Sequence, residues 1–220
     1  GHFADVLAKA SSNSNTNVSM MGETFKYVAS VAGALGYTAE DTAVSIGLLA
    51  NSGIKASQSG TIIRKLMSET AGGIQLVSKA YAKHGEKTGK LMIKTANADG
   101  SMKDWSKTVG RLREEFGKMT EEEKAANAES IGGKTAMSGL LAIVNASEKD
   151  YKKLTEQINN ASGATKEMAE IRLDNLEGDI KLFQSALEGK GIELYDELKE
   201  PLRDLVQDAT EWLNEIDVGR

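Results

Sequence analysis

Apolar positions recur at helical spacing along almost the whole of this chain. In residues 3–10, Phe3, Val6, Leu7 and Ala10 share one face and predict a helix. Residues 11–17, SSNSNTN, favour side-chain to backbone bonding and read as a loop or cap. From 18 to 35, Met21, Phe25, Val28, Ala32 and Leu35 alternate steps of four and three, one helical stripe. Gly22, Ala29 and Gly33 lie off that stripe, where they are expected to let another backbone approach closely. Thr38 with Asp41 marks a helix start, the hydroxyl capping a free amide and the carboxylate meeting the positive helix end. That helix should stop at Gly53. Ser57 is placed to cap the next, which carries Ile62, Ile63, Leu66 and Met67. Gly53-Ile54-Lys55-Ala56 then joins the two in a tight helical corner.

Gly72-Gly73 interrupts the pattern, and Ile74, Val77 and Tyr81 predict a short helical face running to His84-Gly85. Leu91-Met92-Ile93 leads into Asn97-Ala98-Asp99-Gly100, a turn sequence compatible with a small β-hairpin near 91–102. From Asp104 a helix carries Trp105, Val109, Leu112 and Phe116. Thr120 with Glu123 forms a capping box, and Glu121, Glu122 and Glu123 put three carboxylates in a first turn. That helix is expected to end at Gly132-Gly133. The next carries Met137, Leu140, Leu141 and Val144, and Ser147 with Asp150 caps another bearing Tyr151, Leu154 and Ile158. Residues 159–163 read as a hinge or turn.

Beyond this point Ala169, Leu173, Leu176, Ile180, Phe183 and Leu187 step by four, three, four, three, four, a seam of coiled-coil type. Leu194, Leu198, Leu202, Leu205, Ala209, Leu213 and Ile216 extend it. Unbroken from 168 to 216, it would run about 70 Å. Gly189, Gly191 and above all Pro201, which removes a hydrogen bond and breaks or kinks the helix at Glu200, predict two rods with a joint. The expected fold is all-α: a multi-helix bundle with a helical corner and long C-terminal helices broken near Pro201. Its expected parts are a stub and polar linker over 1–16, a helical core over 17–163 and a helical arm over 164–220. The seam predicts either packing within the chain or self-association, through Leu173, Leu176, Ile180, Phe183, Leu187, Leu194 and Leu198.

Composition supports helices: of 220 residues only one is Pro, 5% are aromatic and 40% hydrophobic. The chain is long enough to bury a core. With no Cys there are no disulfides or thiolate metal sites, which fits a reducing compartment or a particle assembled in one. A net charge of -5 gives no general attraction to nucleic acid. The apolar run over 27–37 is too short for a membrane span. Gly1-His2, with no initiator Met or signal peptide, reads as a cloning remnant heading a piece of a longer protein.

Candidate chemistry is sparse. Residues 128–135 fit a relaxed phosphate-loop pattern ending in Gly133-Lys134-Thr135, which would make the chain a nucleotide-binding enzyme. A phosphate loop needs a buried strand in front, whereas TEEEKAANAE reads as a charged helix, and the first Gly is replaced by Ala128. A helix junction is the competing assignment. Thr95, Asn97, Asp99 and Gly100 echo a calcium loop, but Ser106 stands where a bidentate Glu belongs. His2 and His84 form no catalytic pair, and His84 beside Gly85 reads as a helix-end residue. Adjacent helical carboxylates at 121–123 diverge by about 100 degrees, against an acid and base pair. Trp105 and Trp212 read as anchors on apolar stripes. No catalytic residue, metal or cofactor is expected.

Several motifs resemble a known family. Gly36-Tyr37-Thr38, Glu40-Asp41-Thr42-Ala43, Gly47-Leu48-Leu49-Ala50-Asn51-Ser52-Gly53-Ile54-Lys55 and Ser57-Gln58-Ser59-Gly60-Thr61 are similar to the core region of tail tape measure proteins of long-tailed phages and prophages. Asp99-Gly100, Gly132-Gly133-Lys134, Ser138-Gly139-Leu140-Leu141 and Ser185-Ala186-Leu187-Glu188 follow in the same order, and the likeness spans roughly residues 3 to 213. The chain departs at Ile131-Gly132-Gly133, where the family more often has an aromatic before a single Gly. The resemblance implies a non-enzymatic virion protein that extends through the tail tube, binds tail tube protein and tail assembly chaperones, templates tube assembly and limits tail length. It implies assembly in the host cytoplasm and a final place in the virion tail. A helical adaptor that binds partner helices through the stripe from Leu173 to Leu187 is the alternative of another class.

Overall fold

The structure, a computed structural model, describes residues 1–164. It contains seven helices and one two-stranded ribbon within them. Lys9–Asn160 makes one compact unit; of the described residues, Gly1–Ala8 and Ala161–Ala164 belong to a second. The seam beyond 164, with Gly189, Gly191, Pro201 and Trp212, lies outside the described residues.

Local caps set most helix boundaries. The first helix, α1 (His2–Ser12), buries Val6, Leu7 and Ala10 but leaves Phe3 48% exposed, so Phe3 is not part of the expected stripe's buried face. Asn17 accepts the Met20 amide to start α2 (Val18–Leu35). Gly36, at φ 74°, ends it in a left-handed cap, where the Tyr37 N–H donates to the Ala32 carbonyl. Thr38 caps α3 (Ala39–Asn51) by accepting the Asp41 amide, and Gly53 at φ 85° turns the chain out of it as expected. Helix α3 is buried on every side from Thr42 to Ala50, the pattern of a central helix.

The start of α4 (Ala56–Thr70) differs from expectation. Ser57 lies inside the helix, and Lys55 at the cap makes no side-chain bond. The entry is held instead from α2, where buried Thr24 donates its hydroxyl to the Ala56 carbonyl at 2.9 Å. The close approach expected at Gly22 and Gly33 is also absent, because a Cβ at either would meet nothing within 4 Å, and Ala29 is exposed. The backbones close at Gly60 of α4, where an added Cβ would lie 2.8 Å from the Thr24 carbonyl of α2.

The face assigned to Ile74, Val77 and Tyr81 is not an α-helix. Gly73, at φ 100°, leads into β1 (Ile74–Ser78), whose burial alternates with period two, Ile74, Leu76 and Ser78 inward, Gln75 and Val77 outward. One short 3-10 turn (Lys79–Tyr81) follows, and His84 stands in an exposed turn with Gly85 at φ 88°, not at a helix end. Strand β2 (Gly89–Ile93) pairs antiparallel with β1, Ile74 opposite Ile93 and Val77 opposite Lys90. The ribbon expected near 91–102 therefore exists with an earlier partner. Its expected turn closes as a single bridge between Ala96 and Met102, with Gly100 at φ 87°.

Helix α5 (Trp105–Phe116) buries the expected Trp105, Val109, Leu112 and Phe116. Helix α6 (Glu121–Asn145) carries both bonds of the capping box and breaks at Gly133, where φ is 62° and ψ is -177°, close to the expected end. Beyond that kink the buried face is Ala136, Gly139, Leu140, Ile143 and Val144, with Met137 and Leu141 half-buried. Ser147 caps α7 (Glu148–Asn159), which buries Leu154 and Ile158.

Candidate functional site

Polar side chains inside the 9–160 unit meet in three clusters, each tying one element to another. In the first, Glu115 of α5 is 1% exposed yet ionised among donors. Tyr81 donates to it at 2.7 Å, Lys118 at 2.9 Å and Arg111 at 2.8 Å. Burial alone would push this carboxyl up. The bonds from Lys118 and Tyr81 and the charges of Arg111 and Lys118 outweigh burial and hold it below its ordinary 4.5. Burial, and then the same contact with Glu115, push the Tyr81 phenol up.

In the second cluster, Asn127 of α6 mimics a peptide group along the outer edge of β1. Its carbonyl accepts the Val77 N–H, and its amide donates to the Val77 carbonyl, both at 2.8 Å. Glu123 continues the seal by accepting the Lys79 N–H at 2.7 Å while it caps its own helix through the Thr120 N–H at 2.9 Å. Those two backbone bonds hold the Glu123 carboxyl below its ordinary range. In the third, Arg113 of α5 donates to the Ile143 and Ala146 carbonyls at the end of α6, at 2.6 and 2.8 Å. Its guanidinium lies 4.3 Å from the centre of the Tyr151 ring. The charge and the donors together satisfy a helix C-terminus.

Because Glu115 binds its proton less tightly folded than unfolded, falling pH protonates the unfolded chain first. Its stabilisation is complete above the ordinary carboxylate range and disappears as pH drops through and below 4.5. Urea unfolding of the natural chain and Glu115→Gln between about pH 6 and pH 3 should show the natural chain losing more stability over that interval. Identical slopes would remove Glu115 from the acid response.

In each of these clusters the bonds described join polar groups to other parts of the same unit. Among the described residues no group of three or more His, Asp or Glu is placed to hold a metal, and no helix is long and apolar enough to cross a membrane. The comparison with known sequences decides the family. A family model described as phage-related minor tail protein matches residues 1–133.

The chain belongs to the phage-related minor tail protein family.

It is 35% identical over 213 residues to the tape measure protein of Pneumococcus phage Dp-1, covering 97% of this chain and 18% of that protein. It is 29% identical over 219 residues to the probable tape measure protein of Escherichia phage P2, covering 98% of this chain and 26% of that protein. This minor tail protein sequence thus spans about a quarter or less of the relatives' length. No solved structure matches it. Both relatives are named as tape measure proteins of phages, the second as a probable one.

The sequence candidates fall as follows in this family member. Gly133-Lys134-Thr135 sits at the kink inside α6, preceded by helix from Glu121 and not by the buried strand that a phosphate loop needs. Thr95 is turned inward, its hydroxyl donating to the Thr70 carbonyl at 2.8 Å, and Asp99 accepts from Ser101. Of these calcium-like ligands, Thr95 is thus engaged by the end of α4 and Asp99 within its own turn. Glu121, Glu122 and Glu123 open α6 without converging. Leu173, Leu176, Ile180, Phe183, Leu187, Leu194 and Leu198 lie outside the described residues. Asn127 and Arg113 were not legible as clamps, because their partners stand 50 and 30 positions away.

Proposed function

We propose that this chain is the core segment of a tape measure protein: the parent extends through the tail tube during assembly, fixes tail length and templates polymerisation of tube subunits. The observation that supports it is similarity over nearly the whole chain to proteins with that name from two phages. The role is non-enzymatic. The partners are tail tube protein and tail assembly chaperones, met in the host cytoplasm, and copies associate through the seam at Leu173, Leu176, Ile180, Phe183, Leu187, Leu194 and Leu198.

Length arithmetic assigns different parts to different work. As one helix, the roughly 150 residues of the 9–160 unit would span about 230 Å, but a compact domain of that size has a radius of gyration of only about 15 Å. Ruler length in this segment therefore belongs to the arm over 164–220, and the core serves as a node to which partners attach. An in-frame deletion of four heptads, about 28 residues, within 168–216 of the intact gene should shorten tails by about 42 Å at 1.5 Å per residue, measured by electron microscopy. Normal tails of unchanged length would refute a ruler role for the arm and favour a helical adaptor.

A further inference from the structure

The ribbon has one closed edge and one open edge. Val77 exchanges both its backbone groups with Asn127, so the Val77 and Lys90 pair is a non-hydrogen-bonded one, and by alternation so is Gln75 with Met92. The N–H and C=O of Met92 therefore point away from β1. Among the described residues nothing accepts the Met92 N–H. Along this open edge runs a groove of about 430 Å³, with α5 as its other wall. Lys94, Lys103, Lys107 and Arg111 line it, and no acidic side chain does.

Two of those cations are uncommitted. Lys107 pairs with Asp104 and Arg111 with Glu114 and Glu115, whereas Lys94 and Lys103 have no ion pair among the described residues. In a chain of net charge -5 this is a local feature, not the edge of a general positive field. Thr108, also in the groove lining, is 3% exposed and its hydroxyl has no partner, which is costly for a buried polar group. Met92, 58% exposed, adds an apolar side chain at the open edge.

We propose that the groove between β2 and α5 receives an extended, acidic peptide segment of a partner protein, which adds to the free edge of β2 as a third strand with its carboxylates on Lys94 and Lys103. Backbone pairing supplies affinity and the lysines supply selectivity. Lysines on an edge also discourage unwanted pairing, but that defence repels basic strands and admits acidic ones. A nucleic acid would use the cations and leave the Met92 N–H unpaired. The inference stands on the groove alone and is independent of the tail-length reading.

The test is a titration of the whole chain against a fluorescein-labelled peptide of alternating Glu and Val, with backbone amide exchange followed by NMR. The expected result is saturable binding that slows exchange at Met92. Lys94→Glu/Lys103→Glu should weaken it about tenfold or more, with an unchanged thermal melt, while Lys134→Glu/Lys153→Glu, the same charge change elsewhere, leaves it intact. The peptide N-methylated at alternate residues, and its Lys-Val counterpart, should not bind. Absence of saturable binding, or unaltered Met92 exchange in the natural chain, would overturn the proposal whatever the variants do. Equal binding of the N-methylated peptide would overturn strand addition, and tighter binding of oligothymidine than of the Glu-Val peptide would assign the groove to nucleic acid.

Discussion

Trp105→Ala is expected to destabilise the chain by about 3–5 kcal/mol. Trp105 is 1% exposed at the first turn of α5, and it joins that helix to the middle of the molecule in two ways. Its ring packs 5.5 Å from Tyr37, tilted at 47°, in the turn between α2 and α3. Its indole N–H donates to Ser45 of α3 at 2.9 Å. Truncation leaves a cavity and orphans the Ser45 hydroxyl at once. Two further variants separate the contributions. Trp105→Phe keeps most of the apolar area and loses the bond, so its cost should be intermediate; Ser45→Ala strands the indole donor at about 1–3 kcal/mol. Urea unfolding followed by far-UV circular dichroism measures all three without relying on the missing indole. A loss below about 1 kcal/mol for Trp105→Ala would show that α5 is not anchored at this point.

Where cause and effect lie within one turn, the structure was readable from sequence. Thr38, Thr120 and Ser147 each accept an amide three residues on, and each was recognisable because hydroxyl and amide sit together in the chain. The four-and-three stripe through Met21, Phe25, Val28 and Ala32 survived for the same reason: a helix carries its own periodicity, whatever it packs against. The strand at 74–78 did not. In five residues, Ile74 and Val77 satisfy a helical spacing and Ile74, Leu76 and Ser78 a strand spacing equally well, and the choice falls to a partner fifteen residues later and to the Asn127 amide.

The charged surface was less legible still. Read along the sequence, Lys94, Lys103, Lys107 and Arg111 are interleaved with Asp99, Asp104 and Glu114, and the sum looks neutral. Folding sorts them, because Asp99 is engaged by Ser101, Asp104 by Lys107, and Glu114 by Arg111 and Lys118, while the groove is left to the bases. A hydrogen-bonded turn and three helix-spaced ion pairs thus turn a balanced stretch into a one-signed surface. Its open strand edge follows from a clamp on the opposite strand. No local window contains both facts.

Four helical glycines should respond to alanine with opposite signs. Gly60 and Gly139 mark helix crossings: an added Cβ at Gly60 would stand 2.7 Å from the Tyr27 Cβ and 2.8 Å from the Thr24 carbonyl, and one at Gly139 would stand 2.4 Å from the Ile62 Cγ2. The Thr24 carbonyl is backbone of α2 and the Ile62 Cγ2 sits on a stiff β-branched side chain, so neither yields without moving a helix. Such overpacking costs about 1–3 kcal/mol, more than alanine's helical advantage of about 1 kcal/mol returns. Gly22 and Gly33, with nothing within 4 Å of an added Cβ, carry only that advantage, and each should gain up to about 1 kcal/mol. Thermal melts of the four single variants check this. A gain at Gly60 or Gly139 would mean that α4 does not cross α2 and α6 as closely as described, and a loss at Gly22 or Gly33 would mean that the outer face of α2 is covered by something. The contrast explains why spacing alone misplaced the close approach: a glycine off the apolar stripe marks only a gap, and whether another helix fills it is settled by where the corner at 53–56 sends α4.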